Sequence, residues 1–361
     1  MELMIYGAGE VALGVCSAVR TLHPQFQVKM KGFLVTSPEN NPSHLAGLPV
    51  MGIAAYSRAL TREQIKNIHI LIATPEYAHP EIIQTIEKCG FTNYSCISSG
   101  KESELMEAYY TKLGNFPSLH TLEEGNDVPE TQVIMVKSHK DRPLEKEREL
   151  PEWVRPIQAG AALAEKHIEE ITDDTGENIS TKNGNYCEMT AFYWLWKNRL
   201  TNPCDTVEYY GICHYRRMSD ISRADLKRLK ANDVDAVLIF PTLYEPDIKG
   251  HHRRYITEQD WGAMLQALNE LQPEYAKAYD GIFTQPYFYN YNMIIAKKKV
   301  LADFCAWLFP ILKRIEQLSE PRGWERSDRY IGYISESLMT LYFLYNGVRL
   351  HIRHTGIIIL A

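Results

Sequence analysis

The first 22 residues constrain the fold more than any other stretch. Leu3–Tyr6 is a short apolar run ending in Gly7-Ala8-Gly9-Glu10-Val11-Ala12, after which Val11, Val15, Ala18, Val19 and Leu22 recur at helical spacing. That order predicts a strand, a tight glycine turn and a helix. The alternation continues with a strand over Val28–Val35, a proline-bounded loop over 38–42, and a strand over His69–Ala73. A helix over His79–Gly90, stopped by Gly90, and a strand over Tyr94–Ile97 complete it. Strands separated by helices pair in parallel, so a doubly wound α/β sheet is expected over 1–112.

Residues 113–130 are rich in turn formers and predict a linker. A second α/β domain is expected over 131–361. Its strands are placed at Val133–Val136, Glu208–His214, Ala236–Phe240 and Tyr289–Ala296. Asn185 and Glu188 have the spacing of a helix capping box. A mostly apolar helix over Ala302–Leu318 is expected to break near Pro310, and another over Tyr330–Tyr345 to stop at Asn346-Gly347.

Composition narrows the function classes. The 361 residues carry a net charge of -6, which argues against a general nucleic-acid binder. The seven cysteines are odd in number and form no Cys-x-x-Cys pair, so reduced thiols in a cytoplasmic protein are expected rather than a zinc site. The N-terminus runs straight into a strand and does not read as a signal peptide. No apolar run is long enough to span a membrane, which leaves peripheral contact with its inner face open.

Gly7-x-Gly9, the candidate cofactor-binding turn, lets backbone amides approach a phosphate at a helix N-terminus. The ribose-binding acid expected after the second strand is missing: that region reads Val35-Thr36-Ser37-Pro38-Glu39. A nicotinamide-dependent oxidoreductase is therefore the lesser reading. The richer chemistry lies in 131–361. His139 follows the first strand there, where α/β folds hold nucleotides. The loop 173–183 offers Asp173, Asp174, Asn178, Ser180 and Asn183 as hydrogen-bonding partners for a nucleoside, or equally as turn and cap residues. Phe192, Tyr193 and Trp196 share a helix face suited to a core, whereas Trp194 lies off it and can stack on a base or sugar.

His214-Tyr215-Arg216-Arg217 closes a predicted strand, and such cations suit a diphosphate leaving group. Glu336 is a lone carboxylate in an otherwise almost uncharged helix, either a general base or an ion-pair partner, and Asn292 is expected to face the same cleft. Asp233-Val234-Asp235 copies a metal-binding Asp-x-Asp but precedes its strand, so it is discounted. Asp173-Asp174 is the better metal candidate, and no metal or other cofactor is required on this reading.

Two resemblances sharpen these expectations. The stretch from Gly32-Phe33-Leu34-Val35 to Leu48-Pro49-Val50-Met51-Gly52 resembles the N-terminal Rossmann-like domain of bacterial sugar acyltransferases, which contributes to sugar-nucleotide binding there. Residues 173–180, 186–190, 193–198 and 211–217, with Pro-Ile-Gln-Ala-Gly-Ala at 156–161, Tyr-Asn-Tyr-Asn-Met at 289–293 and Gly-Tyr-Ile-Ser-Glu at 332–336, resemble the bacterial domain of unknown function number 4422 over about 133–345. That resemblance implies a GT-A-like glycosyltransferase domain of capsular or O-antigen polysaccharide synthesis, including galactofuranosyltransferases. It implies a UDP-sugar donor and a glycan or lipid-linked glycan acceptor. Where the family has Glu-Arg-Leu in its last helix, this chain has Glu336-Ser337-Leu338, keeping the acid and losing the arginine. A non-catalytic sugar-nucleotide-binding protein is the third reading.

Overall fold

The computed structural model describes residues 2–26, 29–144, 149–252 and 255–360. The chain forms two compact units, Met1–Phe116 with Thr242–Glu245, and Pro117–Pro241 with Pro246–Ala361.

In the first unit, β1 (Glu2–Tyr6), β2 (Met30–Val35), β3 (His44–Leu45), β4 (Leu48–Gly52), β5 (Ile68–Ile72) and β6 (Tyr94–Cys96) form one sheet in the order β3-β4-β2-β1-β5-β6. All pairings are parallel except the short β3–β4 hairpin. The expected Rossmann-like doubly wound sheet is thus present, although Val28, placed in its second strand, lies outside the described residues. Met4, Ile5, Phe33, Leu34, Ile70 and Ile72 are buried in its centre. The helix Glu10–Leu22 packs on Ser99–Leu113 through Gly14, where an added Cβ would stand 3.3 Å from Met106 Sδ.

The second unit is built on β7 (Thr131–Lys137), β8 (Val154–Gln158), β9 (Tyr209–His214), β10 (Arg217–Ser219) and β11 (Ala236–Ile239). After β12 (Thr242–Leu243), which belongs to the first unit, come β13 (Tyr287–Phe288), β14 (Ile294–Lys297), β15 (Ile352–Thr355) and β16 (Ile357–Ile359). The large sheet is mixed: β8, β7 and β9 run parallel, β14 is antiparallel to β9 and β11, and β15 is parallel to β11. β10 and β16 pair antiparallel at its edge.

Three expectations change. Residues 117–130 are part of the second unit rather than a free linker: Leu119 is fully buried in its core, and His354 N–H donates to Pro117 O at 2.9 Å. The helix expected to break near Pro310 runs unbroken over Lys298–Leu318. An interior proline costs about 3 kcal/mol, but Leu308, Phe309, Ile311 and Leu312 are all buried beside it, and each such side chain contributes roughly 1.5–3 kcal/mol. The strand expected over Tyr289–Ala296 is confined to Ile294–Lys297, because Tyr291 and Asn292 are left-handed, with φ of 71° and 50°. Among the described residues, no helix is long and apolar enough to cross a membrane.

Candidate active site

Polar loops leave the sheet of the second unit at one level. Val136 lies opposite His214 and Lys137 opposite Gln158, so the carboxyl ends of the parallel strands β7, β8 and β9 are aligned. In α/β sheets this is the end that holds ligands. Tyr215 N–H donates to Val136 O at 3.1 Å, and the Arg216 guanidinium lies 5.1 Å from the centre of the Tyr215 ring. Asp141 accepts from Ser138 N–H at 2.7 Å. Burial raises its pKa, against that hydrogen bond and the nearby charges of Arg216, His214 and Lys137. His139 is exposed on the same loop. Lys137 is held by Glu169.

The cationic strand end connects to a carboxylate cleft through Tyr291 and Asn292. His214 Nε2 meets Tyr291 O at 2.5 Å, and the Arg217 guanidinium lies 4.4 Å from the centre of the Tyr291 ring. On the other side, Tyr291 N–H donates to Glu336 Oε1 at 2.8 Å. Asn292 Nδ2 donates to Glu188 Oε1 at 2.7 Å and to Ser335 Oγ at 2.9 Å. Cys187, Glu188, Arg329, Gly332, Tyr333 and Glu336 line a small cleft whose cavity volume is ≈ 30 Å³. Gly332 lets the Cys187 side chain approach the helix Tyr330–Asn346, since a Cβ there would stand 3.3 Å from Cys187 Sγ.

Backbone strain concentrates at this cleft. Cys187, Tyr291, Asn292 and Arg329 all have positive φ, half of the eight such non-glycine residues described. Each costs about 1–3 kcal/mol and persists only where the surroundings over-determine it. Here the hydrogen bonds of Tyr291 and Asn292 do so. Such strain is characteristic of functional sites.

The electrostatics are unusual. Burial raises Glu336 to about 8, aided by the Glu188 carboxylate and opposed by Tyr291 N–H, Arg217 and Arg329. A carboxyl so placed holds a proton at neutral pH and is a strong base once it loses it. Cys187 is pushed up to about 12, by burial and then by Glu188, while Arg329 pulls it down. Arg329 Nε donates to its sulfur at 3.3 Å. A thiol in that state is not a nucleophile.

The acid–amide loop 173–183 turns most of its polar atoms inward. Asp173 is fully buried and accepts from Gly160 N–H at 2.9 Å, Ala161 N–H at 3.0 Å and Ser180 Oγ at 2.5 Å. Ser180 Oγ also accepts from Ala162 N–H. Asn178 bonds to Asp174 O, Gly176 O and Ser180 N–H, all within its own loop. Asn183 Nδ2 donates to Cys187 O and Thr190 Oγ1, which helps hold the strained residue at 187. Asp174 faces His167 at 3.2 Å. Trp194 is not on a free face: it is buried, with Nε1 donating to Thr175 Oγ1 at 2.9 Å.

The capping box expected from Asn185 and Glu188 does not form. Asn185 instead secures the segment 323–328, donating to Gly323 O and Arg326 O and accepting from Asp328 N–H. That frees Glu188 for the cleft, where its role had no separate signal in the sequence. Asp233 and Asp235 both clasp Lys297, at 2.6 and 2.8 Å. Among the described residues, no group of three or more His, Cys, Asp or Glu is arranged to hold a metal ion.

In the first unit, Gly7 has φ +123°, and a Cβ there would stand 2.7 Å from Ala73 O. Gly9 caps the helix Glu10–Leu22 without a side-chain bond. Glu10 occupies the first turn, and burial together with Glu10 and Glu76 raises Glu102 to about 7.

The family profile described as "Domain of unknown function (DUF4422)" matches residues 133–347, more than half of the chain. Among solved structures, the apo structure of the bifunctional glycosyltransferase WbbM is similar, with TM-score 0.52 and 24% identity, over 64% of this chain and 45% of that one. The chain thus spans under half the length of that protein, and the likeness establishes a shared α/β, GT-A-like fold. A Rex-family repressor matches with TM-score 0.23 and 13% identity, over 30% of this chain and 57% of that one. Core-mannan synthase A from Aspergillus fumigatus, in its Mn/GDP form, matches with TM-score 0.18 and 12% identity, over 92% of this chain and 68% of that one. No curated protein matches the chain.

Proposed function

This chain belongs to the DUF4422 family, and we propose that its second unit is a glycosyltransferase that moves a sugar from a UDP-sugar to a growing glycan. The observation that carries this reading is the Tyr291–Asn292 turn. It joins a cationic strand end, His214 and Arg217, to a cleft holding Glu188 and Glu336. The fold shared with a protein described as a bifunctional glycosyltransferase supports it.

The two halves suit the two ends of one displacement. Ionised Glu336 takes the proton of an acceptor hydroxyl. The acceptor oxygen forms a bond to the anomeric carbon, and the bond from that carbon to the diphosphate oxygen breaks. The electron pair leaves with UDP, whose growing negative charge His214, Arg216 and Arg217 stabilise. Galactofuranose as the sugar, capsule or O-antigen as the product, and a lipid-linked acceptor met at the inner face of the membrane are taken from the family resemblance. In the loop 173–183, we assign Asp173 and Ser180 to holding the site's walls rather than to the nucleoside. The Rossmann-like first unit we read as accessory.

A thermal-shift panel of nucleotide sugars, with and without divalent metal, tests the reading. Binding of UDP-sugars is expected to survive EDTA and to be lost in the Arg216→Ala, Arg217→Ala double variant. Stabilisation by a nicotinamide dinucleotide alone, or UDP binding indifferent to both arginines, overturns it.

A further inference from the structure

The cleft has an aromatic wall that the displacement chemistry leaves unused. Tyr333 lies one helical turn before Glu336 on the same helix face, Arg329 is the left-handed residue at the start of that helix, and the three line the cleft together. The Tyr333 ring is stacked on Tyr255, with centroids 5.1 Å apart and planes at 28°. Tyr255 is 48% exposed, in contrast to the buried rings of the core. The Arg329 guanidinium lies 5.8 Å from the centre of the Tyr333 ring. The result is a paired aromatic surface opening to solvent beside two carboxylates.

Its position is specific. The Arg217 guanidinium, over the Tyr291 ring, acts on Glu336 through its charge, whereas Tyr333 lines the cleft beside Glu336 towards the start of the helix. An in-line displacement places the anomeric carbon between the acceptor oxygen and the cationic leaving-group site, with the base on the acceptor's side, so the acceptor approaches from the side away from the cations. That side is the tyrosine wall. A pyranose or furanose ring presents one face of C–H bonds and a rim of hydroxyls. Rigid, amphipathic tyrosines offer flat contact area at low entropic cost, and Glu188 keeps carboxylate lone pairs for a hydroxyl.

We propose that Tyr333 and Tyr255 form the acceptor subsite, stacking on the terminal sugar ring of a neutral glycan and presenting its hydroxyl to Glu336. This rests on the glycosyltransferase reading and extends it to the acceptor. Pairing of the two rings for packing alone would leave them without effect on sugar binding.

Ligand-observed saturation-transfer NMR on the full chain, with a panel of methyl hexopyranosides and methyl hexofuranosides, tests it. Transfer to the C–H protons of at least one glycoside is expected for the wild type. Tyr255→Ala is expected to weaken that binding about tenfold, the upper end of what one aromatic contact supplies, and Tyr255→Phe and Tyr333→Phe to retain it. The thermal shift caused by UDP is measured on every variant, so that a folding defect or a failed donor site is seen separately. Glycoside binding with no UDP binding sinks the transferase reading and keeps the sugar subsite. No transfer to any glycoside in the wild type, or equal binding by wild type and Tyr255→Ala, overturns the subsite.

Discussion

Glu336→Gln is expected to stabilise the second unit at alkaline pH while abolishing transfer. Glu336 is raised from 4.5 to about 8 in the folded protein. At about 1.36 kcal/mol per pH unit, that gap corresponds to about 4–5 kcal/mol of differential interaction. Part of the side chain reaches the cleft, and water there lowers the figure, so an effect of about 2–3 kcal/mol is expected. The sign follows from proton counting. Below pH 4.5 the carboxyl is protonated in both folded and unfolded chains and costs nothing. Between 4.5 and about 8 the folded state holds more proton than the unfolded one, so stability falls as pH rises. Above 8 the full cost is present. Glutamine cannot ionise, yet its carbonyl still accepts from Tyr291 N–H. The variant's advantage should therefore grow from near zero at pH 5 to its full value at pH 9. Guanidinium unfolding followed by tryptophan fluorescence isolates the relevant unit, because all six tryptophans lie between Trp153 and Trp324. An advantage that is constant across this range, or that shrinks as pH rises, refutes the assignment of a desolvated carboxyl at 336.

Transfer activity should rise with pH towards an alkaline plateau as Glu336 loses its proton. Glu188→Gln should move that rise to lower pH, because Glu188 is the second-largest cause of the raised Glu336 value; an unmoved profile would exclude the coupling. Asp173→Asn should cost about 2–4 kcal/mol of stability, since its buried carboxylate holds two backbone amides and the Ser180 hydroxyl. Affinity for UDP in the surviving folded fraction should be unchanged, and a selective loss of UDP affinity at full stability would restore Asp173 to the donor site.

The periodicity of the chain was enough to place the Rossmann-like sheet, because alternating apolar strands and glycine-punctuated helices are local patterns. It was also enough to mark His214–Arg217 at a strand's carboxyl end and Glu336 as a lone charge in an apolar helix. Three decisions needed the tertiary structure. Asp173 and Glu188 are both acids in one polar stretch, yet Asp173 is consumed by backbone amides and Glu188 faces Glu336. Nothing local distinguishes them, because their partners at 160–161 and 292 come from elsewhere in the chain. Trp194 fell off the helix's apolar face but is covered by Thr175. Tyr291 and Asn292 read as strand residues, yet contacts from distant sequence, among them His214, Glu188, Ser335 and Glu336, hold them left-handed. Local pattern determines which elements form. The chemical state of a carboxylate depends on what is packed against it from distant sequence, and that was decided only on folding.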